Sequence, residues 1–182
     1  TGALATTAWG TALGVIRELA LRNRIEIVFA DETRPLLQGA RLTAWELHQE
    51  GIPYRVLPDG AAAMAIMNGE VDGALIGADR ITACGDAANK IGSLGVAIAC
   101  HTKGIPFMVV APESTVDRNM ESGDEIEIEF RSDSEVTSFA EINVAPVGSK
   151  TYNPAFDVTP ARYITAVVTE KQVYRVKDGE VL

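Results

Sequence analysis

The chain is poor in cysteine, histidine, aromatic residues and positive charge. Two cysteines, Cys84 and Cys100, occur in 182 residues, and they form no CxxC pair. That excludes a disulfide framework and makes a reducing, cytoplasmic setting the expectation. The two histidines, His48 and His101, lie far apart and join no cluster with metal-ligand spacing, so no metal and no other cofactor is expected. Sixteen basic residues against 25 acidic ones give a net charge of -9, which argues against a nucleic-acid partner. No apolar run is long enough to span a bilayer and no signal-peptide pattern is visible, so no membrane partner is expected. A GxGxxG run is missing after the first expected strand, so a dinucleotide is not indicated.

What is present is a composition of ordinary globular type, 47% apolar and 23% charged, in a length suited to one domain with a real core. One stretch organises it. Residues 73–77 form a short apolar run that reads as a buried strand, and Ile91, Leu94, Gly95 and Ile98 read as one face of a helix. Between them lies a polar loop carrying Asp79 and Asp86, with Asn89 and Lys90 expected to open the helix. Strand, loop and helix start together make the usual ligand corner of an open α/β sheet. A lysine in a first helical turn faces the positive end of the helix dipole, which is unfavourable unless an anion shares the site; helix start and Lys90 would then seat a phosphate. Asp79, past the carboxyl end of the strand, stands where a general acid would be carried. The plainer reading is that Asp79 and Asp86 cap the loop and Lys90 pairs with one of them. On spacing alone the plainer reading has a slight edge.

In chain order, residues 2–23 read as a helix, with Gly10 and Gly14 allowing close packing; residues 25–30 read as a strand. Pro35 suits the first turn of a second helix running to about residue 49. Arg34 and Gln38 are four residues apart and could share a pocket mouth; equally, Arg34 could pair with Glu32 and leave Gln38 solvated. A strand is expected over 52–57, a short helix over 61–67 with Met64 and Met67 as core filler, and a strand over 106–111. Cys100 reads as core, Cys84 as a small loop residue. Helix and strand thus alternate at spacings suited to right-handed crossovers, which predicts an α/β fold, a Rossmann-like three-layer sandwich with a mainly parallel sheet. Residues 126–130 alternate like an edge strand, 143–160 read as a long ordered loop, 163–168 as a last buried strand and 173–176 as a short strand or tail. The sequence begins at Thr1, without Met, and looks like a piece of something longer.

Four ordered runs carry a family resemblance: Glu32-Thr33-Arg34-Pro35-Leu36-Leu37-Gln38-Gly39-Ala40-Arg41-Leu42-Thr43; Gly77-Ala78-Asp79-Arg80 with Gly85-Asp86 and Ala88-Asn89-Lys90-Ile91-Gly92; Pro112-Glu113-Ser114-Thr115-Val116-Asp117; and Asn153-Pro154-Ala155-Phe156-Asp157-Val158-Thr159-Pro160. They resemble the methylthioribose-1-phosphate isomerase family over essentially the whole chain. The wider superfamily includes ribose-1,5-bisphosphate isomerase and the regulatory subunits of translation initiation factor 2B. The runs at 38–43 and 153–160 favour the methylthioribose branch. The resemblance implies an aldose–ketose isomerase converting 5-methylthioribose 1-phosphate to 5-methylthioribulose 1-phosphate in methionine salvage. By the same resemblance Asp79 matches the catalytic acid/base, Gln38 contacts the sugar, and Asn89 and Lys90 bind substrate. The implied partners are a small phosphorylated sugar and a second copy in a homodimer. The family also uses a cysteine that would fall just upstream of Thr1, and a helical N-terminal domain that supplies phosphate-binding arginines. The chain, 1–182, therefore reads as the C-terminal catalytic domain, with the N-terminal half of the same protein missing, and alone it is expected to be inactive. Ribose-1,5-bisphosphate isomerase and a non-catalytic regulatory subunit are the alternatives.

Overall fold

The computed structural model describes residues 10–182; the expected start of the first helix, 2–9, lies outside them. Helix α1 (Thr11–Leu21) buries Ala12 and Leu13, and the Thr11 hydroxyl donates to the Val110 carbonyl at 2.5 Å. Strand β1 (Val28–Asp31) pairs in parallel with β2 (Tyr54–Leu57), Asp31 standing opposite Leu57. The connection between them carries α2 (Ala44–Gln49), and Leu13, Ala30, Leu47 and Ile52 make a small core of their own.

The expected helix beginning at Pro35 does not form there. The Arg34–Pro35 bond is cis, Thr33 and Leu37 have φ of 64° and 59°, and regular turns start only at a π-helical segment, Gly39–Thr43. Asp59 holds this loop open, its carboxylate accepting the backbone N–H groups of Thr33 at 2.8 Å and Arg34 at 2.6 Å. Gly39 is required for close approach: a Cβ there would sit 1.7 Å from the Asp31 carbonyl oxygen.

A second sheet runs β12-β11-β6-β3, from β3 (Ala74–Ile76), β6 (Phe107–Val110), β11 (Ala166–Val168) and β12 (Val173–Tyr174); β3, β6 and β11 are mutually parallel and β12 is antiparallel. Helices α3 (Ala62–Met67) and α4 (Ser93–Lys103) pack on each other, and α4 packs on β3 and β6. The larger core lies here, around the fully buried Phe107, Val109, Val167, Ala97 and Cys100. Met64 and Met67, expected as core filler, are 64% and 47% exposed, because α3 is short and turns only Ala62 and Ile66 inward.

A third sheet, β10-β5-β4-β7, is made of β4 (Arg80–Thr82), β5 (Ala87–Lys90), β7 (Val116–Asp117) and β10 (Phe156–Thr159). Asn89 and Lys90 therefore end a strand instead of opening a helix. Ala87–Lys90 is paired on both sides, with β4 and with β10, and Gly92, at φ 108°, turns the chain before α4 starts at Ser93. The anion at that helix start is protein: Asp157 of β10 accepts the backbone N–H groups of Gly92 at 2.8 Å and Leu94 at 3.1 Å. The dipole argument that assigned a phosphate to this terminus is thereby answered by Asp157. Asp86 does the capping expected of a loop acid, accepting from the Gly123 N–H at 2.8 Å and the Ala161 N–H at 2.7 Å.

The expectation of a mainly parallel sheet needs correcting. Among the described residues four strand pairings are parallel and four are antiparallel. β4 and β5 are joined by a four-residue turn, and so short a connection permits only an antiparallel pair. Residues 126–130 form no strand; Phe130 makes a single bridge to Pro154. The expected long loop 143–160 contains β10, which its proline and turn residues concealed. A small outlying unit, α5 (Asp133–Thr137) with the hairpin of β8 (Ser138–Phe139) and β9 (Ile142–Asn143), completes the chain. None of the described helices is long and apolar enough to cross a membrane.

Candidate active site

The carboxyl ends of β1 and β3 and the end of β5 open on one cleft of about 540 Å³. Gln38, Asp79, Asn89 and Lys90, spread over 53 positions of the sequence, all line it, together with Asp31 and the Phe156 ring. Its remaining wall is largely apolar, from Leu13, Ile16, Leu75 and Ile76 among others.

Asp79 follows β3, and its N–H donates to the Ala88 carbonyl at 2.8 Å, which ties the loop to β5. Burial raises its carboxyl pKa above the ordinary value; the nearby Lys90 ammonium opposes that rise. Lys90 lies with its ammonium 4.4 Å from the centre of the Phe156 ring, a cation–π contact across the β5–β10 pair. No ion pair of 4 Å or less ties it to Asp79 or Asp86, so the pairing expected by the plainer reading does not form.

Asn89 is held by a short relay. The Ser93 hydroxyl donates to the Lys90 carbonyl at 2.9 Å and so must accept from the Asn89 amide N–H at 2.8 Å. That fixes which end of the amide is which and leaves its carbonyl oxygen for a ligand donor. Gln38 carries a sharper signal: its Oε1 is fully buried and has no hydrogen-bond partner. A buried acceptor without a donor costs about 1–3 kcal/mol, and a ligand hydroxyl or N–H would relieve it.

Asp31 was not singled out by sequence reasoning as functional. Burial, reinforced by repulsion from Asp59, pushes its carboxyl up to about 6. The available signal was an acid at the carboxyl end of the first strand, directly before the Glu32-Thr33-Arg34-Pro35 run. Arg34 does not join the cleft: its guanidinium donates to the Pro35 carbonyl at 3.1 Å and the Val136 carbonyl at 3.4 Å. Cys84 lies in the β4–β5 turn, 3.3 Å from the Thr82 hydroxyl and outside the cleft lining. Cys100 is core, and burial pushes its thiol up to about 11.

Two carboxylates, two amides and one ammonium thus meet in an apolar-walled cleft at the strand ends of an α/β protein, the usual place for a small-molecule site in such folds. The family follows from comparison: residues 3–175 match the model of the initiation factor 2 subunit family, and the chain belongs to that family. It is 56% identical over 174 residues to a 5-deoxyribose 1-phosphate isomerase of Moorella thermoacetica, covering 96% of this chain and 50% of that one. It is 50% identical over 182 residues to a methylthioribose-1-phosphate isomerase of Natranaerobius thermophilus, covering 100% of this chain and 52% of that one. Among solved structures it matches 5-methylthioribose 1-phosphate isomerase from Pyrococcus horikoshii with a TM-score of 0.92 and 44% identity, over 96% of this chain and 49% of that one. It also matches translation initiation factor eIF-2B, subunit delta, from A. fulgidus, with a TM-score of 0.90 and 41% identity over 96% and 51%. The chain thus spans about half the length of the relatives it matches.

Proposed function

We propose that this chain is the cleft-bearing half of an aldose–ketose isomerase that converts 5-methylthioribose 1-phosphate to 5-methylthioribulose 1-phosphate, a step of methionine salvage. The observation that carries the reading is the convergence of Gln38, Asp79, Asn89 and Lys90 on one cleft in a chain half identical to an enzyme of that name. A sugar phosphorylated at its anomeric carbon cannot open spontaneously to an aldehyde. Ring opening needs a proton on the ring oxygen, and isomerisation moves one hydrogen from C2 to C1 while the C2 hydroxyl becomes the ketone. Asp79, whose pKa burial raises, is suited to give a proton and take one back. Lys90 supplies positive charge for the anionic substrate, and the amides of Gln38 and Asn89 engage its hydroxyls and oxygens.

The rest of the reading is what the family resemblance implies. A helical N-terminal half, with a cysteine and phosphate-binding arginines, completes the site, and the whole is a homodimer acting in the cytoplasm on a small sugar phosphate. In that complete protein β1 lies beside β3, making β2-β1-β3-β6-β11 one parallel run and the fold a Rossmann-like three-layer sandwich. The apolar groove of about 210 Å³ between them, lined by Phe29, Leu57 and Leu75, supports this.

Two other readings have support. The Moorella relative's name points to a substrate that differs at carbon 5, and the A. fulgidus likeness points to a regulatory subunit without turnover. Assaying the full-length protein with 5-methylthioribose 1-phosphate, 5-deoxyribose 1-phosphate and ribose 1,5-bisphosphate separates them. Fastest turnover of the first is expected; no turnover of any would favour the regulatory subunit.

A further inference from the structure

The cleft holds one charged group to which the isomerisation assigns no work. Asp31 ends β1, and its place is rigid: Gly39 packs against its carbonyl, and the Thr33 hydroxyl donates to that same carbonyl at 3.2 Å. Its side-chain carboxylate, in contrast, has no hydrogen bond and no ion pair among the described residues. The neighbouring acid does not help. Asp59 is occupied by the N–H groups of Thr33 and Arg34, and its charge repels that of Asp31. A half-buried acid without a donor does nothing for this fold that an asparagine would not do better.

The same cleft contains a second acceptor without a donor, the buried Oε1 of Gln38. Two such acceptors beside a lysine describe a ligand with hydroxyl groups at one side and anionic oxygens at another. A ribose 1-phosphate ring has two free hydroxyls. The one on C2 belongs to the reacting centre, where the Gln38 acceptor serves it and Asp79 takes its proton. The one on C3 is the remaining donor, next to it on the ring. We infer that Asp31 is a specificity-determining residue that accepts the hydrogen bond of the sugar's 3-hydroxyl, an inference that rests on the isomerase reading above. An ionised acceptor binds a hydroxyl about twice as strongly as a neutral one, and a site built around that bond rejects an analogue lacking the hydroxyl.

The test uses the full-length, turnover-competent protein, with Asp31→Asn and Asp31→Ala, on 5-methylthioribose 1-phosphate and on its 3-deoxy analogue. Wild-type KM is expected to rise about 10- to 100-fold on the analogue, and Asp31→Ala to show a similar rise on the ordinary substrate, with a smaller rise for Asp31→Asn, which keeps a neutral acceptor, and kcat within about threefold. The two losses must not add: Asp31→Ala treats the two substrates nearly alike, and Asp31→Asn discriminates between them less than the wild type does. A structural defect would not produce that pattern, and the melting temperature of Asp31→Asn at pH 8 is expected to rise. Additive losses, an unchanged KM in Asp31→Asn, or a fall in kcat alone would each overturn the assignment while leaving wild-type turnover, and with it the isomerase reading, intact. Absence of wild-type turnover overturns both. Should Asp31→Ala fail to fold, Asp31→Asn and the wild-type response to the analogue still decide.

Discussion

Asp31 and Asp79 end neighbouring parts of one cleft wall, and burial raises the pKa of each. For Asp79 the expected consequence is catalytic. In the full-length protein Asp79→Asn keeps the shape and loses the transferable proton, so kcat should fall about 10²- to 10⁴-fold with little change in melting temperature. Retention of most of kcat would remove Asp79 from the chemistry. For Asp31 there is also a stability consequence with a definite sign. Its carboxyl moves from 3.8 to about 6 on folding, so between those values the folded chain binds more protons than the unfolded one. Stability contributed by the bound proton is therefore complete below about pH 4 and is lost as pH rises to about 6. Asp31→Asn should accordingly stabilise the protein by about 1–3 kcal/mol at pH 8 and leave it unchanged near pH 4, as read by denaturant midpoints at the two pH values. Gln38, Asn89 and Lys90 were legible in the sequence because of the runs that surround them. The place of Asp31 in the same cleft was not, because a carboxylate without a partner leaves no pattern along a chain.

At the scale of elements, legibility followed burial. β3 and β6 were readable within a residue or two of their ends and α4 by its face, though not by its start, because continuous apolar runs and a 3.6-residue face mark elements that are covered on several sides. The β4–β5–β10 sheet was not, since Ala87-Ala88-Asn89-Lys90 and Phe156-Asp157-Val158-Thr159 have weak strand character and pair with partners 66 to 72 positions away, β4 adding a second edge to the first. The π-helical turn after β1 was hidden for a different reason: Asp59, distant in sequence, captures the backbone that would otherwise have started a helix at Pro35. Two substitutions probe these elements. Gly39→Ala pushes a methyl into the Asp31 backbone, which cannot retreat, and should cost more than about 3 kcal/mol in chemical denaturation. Asp157→Ala removes the cap of α4 and should cost about 1–2 kcal/mol, with faster amide exchange at Gly92 and Leu94.

Over the whole molecule, two hydrophobic cores stand side by side. One is built on α1, β1 and α2, the other on the sheet of β3, β6, β11 and β12 together with α4 and the inner residues of β4 and β5. The cleft takes Asp31 and Gln38 from the first body and Asp79, Asn89 and Lys90 from the second. A ligand bridging them stabilises both, so sugar phosphate above its Kd should raise the melting temperature of the full-length protein, increasing with the logarithm of ligand concentration. The chain 1–182 alone, which spans about half of its relatives, is expected to give no measurable turnover; turnover by the purified chain would show that the other half is dispensable.

The cap on α4 also bears on the order of events during synthesis. Asp157 lies 65 positions after the Gly92 it caps, and the strand that carries it is the one that flanks Asn89 and Lys90. As the polypeptide emerges, this corner waits for a segment made several seconds later at ordinary elongation rates of about 5–20 residues per second. Nascent chains stalled before residue 157 should therefore hold the first parallel pair, β1 and β2, while the amide and the ammonium of the corner remain unassembled.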